Sequence, residues 1–317
     1  MSPRPPSPRK PKALREGSTI AWFASASPPS SDTVDLGIAY HELKRLGFRV
    51  AEAHGVTPQE YFAAPLDVRL EGFLGAVNKP GVSGLLGLRG GYGSTYLLSQ
   101  EFANRLSDPK CVIGYSDLTV LQIFLWQMCG WVTFHGPMLL AGFLQGANDL
   151  RGYDELSFLE AVRNTKGNWD VPLRGEALAK GTSEGVLLGG CLTLVQTTLG
   201  TPWELDTTDA ILLLEDRAMK PYQVDRALMH LHQAGKFRSV RGVILGEFPE
   251  CDPPVAGSPS VRDVCQRLLA PLGVPIVFGA PVGHTPRAML TIPLGVRGRL
   301  EADGEGKLTI LEPAVIE

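Results

Sequence analysis

No stretch of this 317-residue chain approaches the roughly 18 consecutive apolar residues that a membrane-spanning helix needs, so no membrane contact is expected. Disulfide patterning is missing too. The five cysteines (Cys111, Cys129, Cys191, Cys251, Cys265) are odd in number, scattered and without a CxxC pair. Several sit in apolar runs, where Cys acts as a small hydrophobe, and a reducing cytoplasm is the simplest account. Metal-ligand spacing is also absent. The six histidines form no HExxH set, and His230 and His232 flank Leu231 on a helical stretch and so face different ways. No metal is expected. Neither sign of charge dominates, with 30 Lys and Arg against 33 Asp and Glu, which gives no reason to expect a nucleic-acid partner. The one basic cluster, residues 4–12 (RPPSPRKPK), is Pro-rich and unable to build a core, so residues 1–16 are expected to be a disordered, solvated tail. The apolar residues 20–26 behind it superficially imitate a secretory signal. They are few, and Glu16, Gly17 and Ser18 interrupt the approach, so a buried first strand is the better reading.

What the chain does have is ample apolar content, 44%, in a repeating order. The periodicity predicts strands at 19–23, 48–51, 82–88 and 111–115, alternating with helices at 33–46, 68–77, 94–106 and 118–128. Such alternation predicts an α/β fold, a parallel sheet covered on both faces, with functional loops at the carboxyl ends of its strands. From 146 to 183 the pattern weakens under Asn, Asp, Gly and Pro, which predicts a linker with one helix near 154–162. Beyond 184 come an apolar segment holding Gly189 and Gly190, a strand ending at Glu215, and a helix at 223–233. A strand at 242–245, a Pro/Gly-rich loop at 248–259, a helix at 260–269, a strand at 276–278 and β-like runs follow. The expected organisation is therefore a tail (1–16), an N-terminal domain (17–145), a linker (146–183) and a C-terminal domain (184–317). No internal repeat is visible.

Three distant segments carry chemistry as a set. Val112-Ile113-Gly114-Tyr115-Ser116-Asp117 places a serine between a strand and a helix, where the following backbone N–H groups can stabilise an oxyanion. Taken alone, Ser116 reads better as a helix N-cap, a position serine favours. The segment also departs from GxSxG, with Leu118 in place of the second Gly. Ile211-Leu212-Leu213-Leu214-Glu215-Asp216 ends an apolar strand in carboxylates. Pro281-Val282-Gly283-His284-Thr285-Pro286 holds a histidine in a turn. A hydroxyl becomes a nucleophile when a base takes its proton, and the base needs a third group to fix its tautomer. Ser116, His284 and Glu215 fit those roles. His135, in Phe134-His135-Gly136-Pro137, is the rival base. Arg89-Gly90-Gly91-Tyr92-Gly93 lacks the spacing of a nucleotide loop and reads as a tight turn or as a source of oxyanion donors.

These motifs, with Gly189-Gly190 and Pro221-Tyr222-Gln223-Val224-Asp225-Arg226, stand in the order found in LD-carboxypeptidases. From about residue 17 to beyond 293 the chain resembles that family, which includes muramoyl-tetrapeptide carboxypeptidases and microcin C immunity peptidases. The resemblance implies a flavodoxin-like, doubly wound N-terminal domain and a smaller, β-rich swivelling C-terminal one. It further implies a cytoplasmic, cofactor-free serine peptidase, usually a homodimer. The roles carried over are nucleophile for Ser116, orienter for Glu215 and base for His284. Oxyanion donors would be the backbone N–H groups of Asp117 and of Gly90 or Gly91. Arg89, Tyr92, Cys191 and Lys220 are expected around the substrate, with Lys220 or Arg217 on its free carboxylate. Several family members carry Asn where this chain has Cys191. The expected reaction is release of a terminal D-residue from a murein peptide. The alternatives are cleavage of a peptidyl-nucleotide antibiotic, or binding of a small peptide or nucleotide without catalysis.

Overall fold

A computed structural model of the chain describes residues 4–30, 35–51 and 56–317. In chain order, the first part comprises β1 (Thr19–Phe23), α1 (Leu36–Arg45), β2 (Arg49–Ala51), α2 (Leu66–Asn78), β3 (Val82–Gly87) and α3 (Gln100–Asn104). It continues through β4 (Cys111–Gly114), α4 (Leu118–Cys129), β5 (Thr133–His135) and α5 (Glu155–Arg163). Then come β6 (Trp169–Pro172), β7 (Glu176–Ala179), β8 (Gly181–Cys191), α6 (Leu192–Thr197), β9 (Ala210–Glu215) and α7 (Pro221–Gln233). The last part is β10 (Gly242–Leu245), α8 (Val261–Leu269), β11 (Ile276–Phe278), β12 (Ile292–Leu294), β13 (Arg297–Ala302) and β14 (Lys307–Ile310). The helix predicted over 94–106 is divided into a 3-10 turn, Ser94–Leu97, and α3. Ser99 causes the break: its backbone is extended, and its Oγ accepts from the Phe102 N–H at 3.0 Å, starting a new helix.

The first sheet has the order β2-β1-β3-β4-β5, all parallel, with β12 added antiparallel to β5. Its strand order reverses between β1 and β3, and a crevice opens beyond the carboxyl ends of strands at such a point. The second sheet runs β6-β14-β13-β8-β9-β10-β11-β7, with β8 to β11 parallel and the others antiparallel. Its two ends meet: the N–H groups of Leu173, Gly175 and Ala177 donate to the carbonyls of Gly306, Glu305 and Gly304 in the β13–β14 turn.

One apolar core runs between the sheets, joining Ile20, Ile113 and Phe134 of the first to Leu187, Ile211 and Leu213 of the second. A second core packs α6, α7 and α8 on the other side of β8 to β11, and a third packs α2, α3 and α4 against the first sheet. Helix α4 is apolar nearly all round because it is covered on both sides, with Ile123 and Trp126 reaching the second sheet's core.

Two sequence expectations are corrected. Residues 4–16 are no free tail. The backbone of Arg9 bonds to Gly130 and Val132, Ala13 to Ile316, and Leu14 to Val162, while the Leu14 side chain is wholly buried. Proline-rich sequence misled here, because an extended strap takes its stability from a neighbouring surface and needs no core of its own. Nor is 146–183 a linker: it supplies α5, β6 and β7, the last two closing the second sheet. Short edge strands carry little periodicity, so the sequence pattern missed them.

Candidate active site

Ser116 follows β4 at the carboxyl edge of the first sheet and takes φ of 63°, a left-handed conformation rare for a residue with a Cβ. This lifts its side chain from the sheet. Leu118, which displaces the second Gly of GxSxG, fits because the glycines stand on the strands instead. A Cβ on Gly87 or Gly114 would lie 2.3 or 2.4 Å from its Cδ2. Gln122 Nε2, one turn on, donates to the carbonyls of Gly114 (3.0 Å) and Phe134 (2.8 Å) and so ties α4 to β4 and β5. Gly90 lies directly against the serine, and a Cβ there would come within 2.7 Å of Ser116 Oγ. Asp117 turns its buried carboxylate away from the cleft to accept from the Ser94 N–H at 2.8 Å.

From the second sheet, β9 delivers Glu215, completely buried, at its carboxyl end. Glu215 Oε2 accepts two bonds from His284, one from the backbone N–H at 2.9 Å and one with Nδ1 at 2.7 Å. The approach is possible because Gly283 has no side chain: a Cβ would sit 2.2 Å from the Glu215 carboxyl carbon, and its φ is 60°. Burial pushes Glu215 up, but the charge and hydrogen bonds of His284 outweigh it and hold the carboxyl below its ordinary range. Burial likewise pulls His284 down, and the Glu215 charge and hydrogen bond more than reverse it, leaving the imidazole above the usual histidine value. Asp216 is otherwise engaged, accepting from the Thr193 N–H at 2.8 Å and Oγ1 at 2.7 Å. The His284 loop is pinned by Arg287, whose Nε donates to Glu247 at 2.9 Å and Nη1 to the Arg174 carbonyl at 3.0 Å.

Ser116 and His284 face one cleft of about 460 Å³, together with Arg89, Gly90, Gly91 and Arg217. A second lobe of about 300 Å³ adjoins it and shares Tyr115, Arg217 and His284. The Tyr115 ring stands edge-on to His284 at 5.0 Å. Among the described residues no group of three or more His, Cys, Asp or Glu could hold a metal ion.

The chain belongs to the LD-carboxypeptidase family. Models of that family's N-terminal and C-terminal domains match residues 20–136 and 184–300. A probable murein peptide carboxypeptidase of Bacillus subtilis is 32% identical over 312 residues, covering 97% of this chain and 96% of that protein. The crystal structure of muramoyltetrapeptide carboxypeptidase from Oxalobacter formigenes superposes with a TM-score of 0.80 at 30% identity, covering 93% and 99% of the two chains. The microcin C7 self immunity protein MccF shares the fold, with a TM-score of 0.85 at 24% identity over 97% of this chain and 100% of that one. Membership makes this LD-carboxypeptidase a serine-type peptidase with the two-domain α/β architecture of its relatives.

Not every residue expected near substrate lines the cleft. Cys191 is buried, and its N–H donates to Thr119 Oγ1 at 3.1 Å where β8 meets α4. Lys220 is exposed and precedes α7, its N–H bonded to Gln223 Oε1 at 2.7 Å. Tyr92 sits in an aromatic cluster with Tyr61, Phe62 and Tyr96 outside both lobes. The sequence reading missed the opposite wall, Met138, Leu140, Ala141 and Leu144, and missed Arg151 in the second lobe. The apolar run after Gly136-Pro137 was the available signal, but it fits neither strand nor helix spacing.

Proposed function

We propose that this enzyme cleaves the bond between an L-centre and a terminal D-residue in murein peptides. The observation that carries the reading is the Glu215–His284 pair set beside Ser116 in one cleft. Ser116 Oγ attacks the carbonyl while His284 Nε2 takes its proton, and Glu215 steadies the imidazolium. His284 then protonates the leaving amine, and water releases the acyl group. The backbone N–H groups of Asp117 and of Gly90 or Gly91 serve as oxyanion donors, each contributing about 3–4 kcal/mol to the transition state. Arg89, whose Nη1 reaches the Pro28 carbonyl at 3.0 Å, keeps its remaining donors for the free carboxylate of the substrate. Arg217 stands across the cleft in an ion pair with Glu250. Murein peptides are favoured over a peptidyl-nucleotide because two relatives at 30% identity or more over nearly the whole chain carry the names murein peptide and muramoyltetrapeptide carboxypeptidase, whereas MccF stands at 24%. A cytoplasmic location accords with five free cysteines, and a homodimer with the family habit.

The test is release of free D-amino acid from a murein tetrapeptide, run beside a peptidyl-aminoacyl nucleotide. Ser116→Ala should lower kcat by at least about 10⁴-fold while the protein stays folded. Arg89→Gln should act chiefly on KM. Wild-type turnover by folded Ser116→Ala, or cleavage of the nucleotide conjugate alone, would sink the proposal.

A further inference from the structure

His135 is the last residue of β5 and is wholly buried, yet neither ring nitrogen has a hydrogen-bond partner. Its Nε2 lies 3.7 Å from Glu215 Oε1, itself buried and unpartnered, while Oε2 receives both bonds from His284. Elsewhere Glu215 meets the backbone of Gly246 and Gly283, where a Cβ would lie 2.6 Å from its Cβ and 2.2 Å from its Cδ. Cys191 stands beside it in register on β8, and Tyr115 is close enough to feel its charge. Leaving a buried carboxylate oxygen without a donor costs well over what an ordinary hydrogen bond contributes. A neutral imidazole has one donor to offer.

We propose that His135 is a positioning residue, donating from Nε2 to Glu215 Oε1 and so fixing the carboxylate that orients His284. This rests on Glu215 being the orienter, as argued above. At 3.7 Å the two atoms are not hydrogen-bonded in this structure, and the role requires the gap to close by about 0.8 Å when substrate binds. The arrangement also joins the two sheets, since β5 carries His135 and β9 carries Glu215. The donor has to be neutral. A second imidazolium would compete with His284 for the carboxylate at the moment of attack. Burial ensures neutrality, pushing His135 down to about 4. The charged groups acting on His135 are Glu215 and His284, with the Tyr115 ring at 6.1 Å; Asp216 and Arg217 act on His284.

The experiment uses the full-length enzyme with ¹⁵N-labelled histidine. Between about pH 5.5 and 8, His135 should stay neutral with its proton on Nε2. His135→Leu should lower kcat about 10–100-fold with little change in KM, the loss expected for one hydrogen bond to a buried charge. Without that donor, negative charge concentrates on Oε2 and raises the His284 pKa, so the acid limb of kcat/KM should move to higher pH. His135→Gln, which keeps a side-chain N–H, should recover most of the rate and return the limb toward its wild-type position. A proton on Nδ1, or a His135→Leu enzyme with wild-type kcat and an unshifted limb, overturns the proposal. The tautomer and the Gln variant decide the matter if the Leu variant does not fold. They also separate this inference from the catalytic reading, which Ser116→Ala tests independently.

Discussion

At the scale of the residue, Ser116, Glu215 and His284 each sit where an ordinary side chain would be unfavourable. Ser116 is in left-handed backbone, Glu215 is a carboxylate without solvent, and His284 depends on a glycine next to it. Such local costs persist only where surrounding structure fixes them. The pair also sets the pH response. As the proposed base, His284 must be neutral, and its pKa is raised above 6.5 by Glu215, so kcat/KM should climb with pH through a limb lying above that value. Glu215→Gln removes the charge that raises it. The limb should fall toward or below the free-histidine range and kcat should drop by about 10⁴-fold, as when a triad carboxylate becomes an amide. Stability follows the same linkage with opposite windows. The raised His284 contributes below the unfolded-state pKa and is lost as pH rises through the folded one. The lowered Glu215 contributes above its unfolded pKa and is lost as pH falls.

Elements bring those residues together, and α4 is the central one. It begins two residues after Ser116 and lies against β8 at Gly190, where a Cβ would stand 2.7 Å from Thr119. Gly190 is thus explained by close helix–strand approach, and Gly189 by strand β9, where a Cβ would lie 2.0 Å from the Leu213 carbonyl oxygen. Gly190→Ala should displace α4, and with it Ser116, from the strand that carries Glu215. We expect a loss of about 1–3 kcal/mol in stability, measured by chemical denaturation, and a fall in kcat exceeding any change in KM. An unaltered kcat would show that α4 does not set the register between Ser116 and Glu215. Glycine in this pair takes φ of 122° and 135°, which explains why the apolar segment around it did not read as one continuous strand, although β8 runs through it.

The whole molecule is stitched across what the sequence divides. Strand β12 leaves the C-terminal half to extend the first sheet beside β5, and the N-terminal strap runs from Trp131 to Ile316. Leu14 packs over Gly84 of β3, where a Cβ would lie 3.3 Å from its Cδ1. Leu14→Ala should therefore lower the unfolding free energy by about 2–5 kcal/mol, read from denaturant titration, while leaving kcat unchanged. A change within 0.5 kcal/mol would mean the strap is dispensable.

The sequence by itself determined the strand–helix alternation, the bounds of β10 and β11, the start of β4 and the end of β9, because hydrophobic period and length are local properties. It also singled out Ser116, Glu215 and His284, since a serine and a carboxylate at strand ends and a histidine in a Gly/Pro turn are the residue types and positions that acyl transfer calls for. Only the tertiary structure decided that β6 and β7 are strands and that β12 joins the first sheet, for an edge strand is made by the partner it finds. It decided too that residues 4–16 are held down, that Cys191 and Lys220 stand away from the cleft, and that His135 faces Glu215. Each of those depends on which surfaces meet after a long loop closes, and no short window of sequence carries that information.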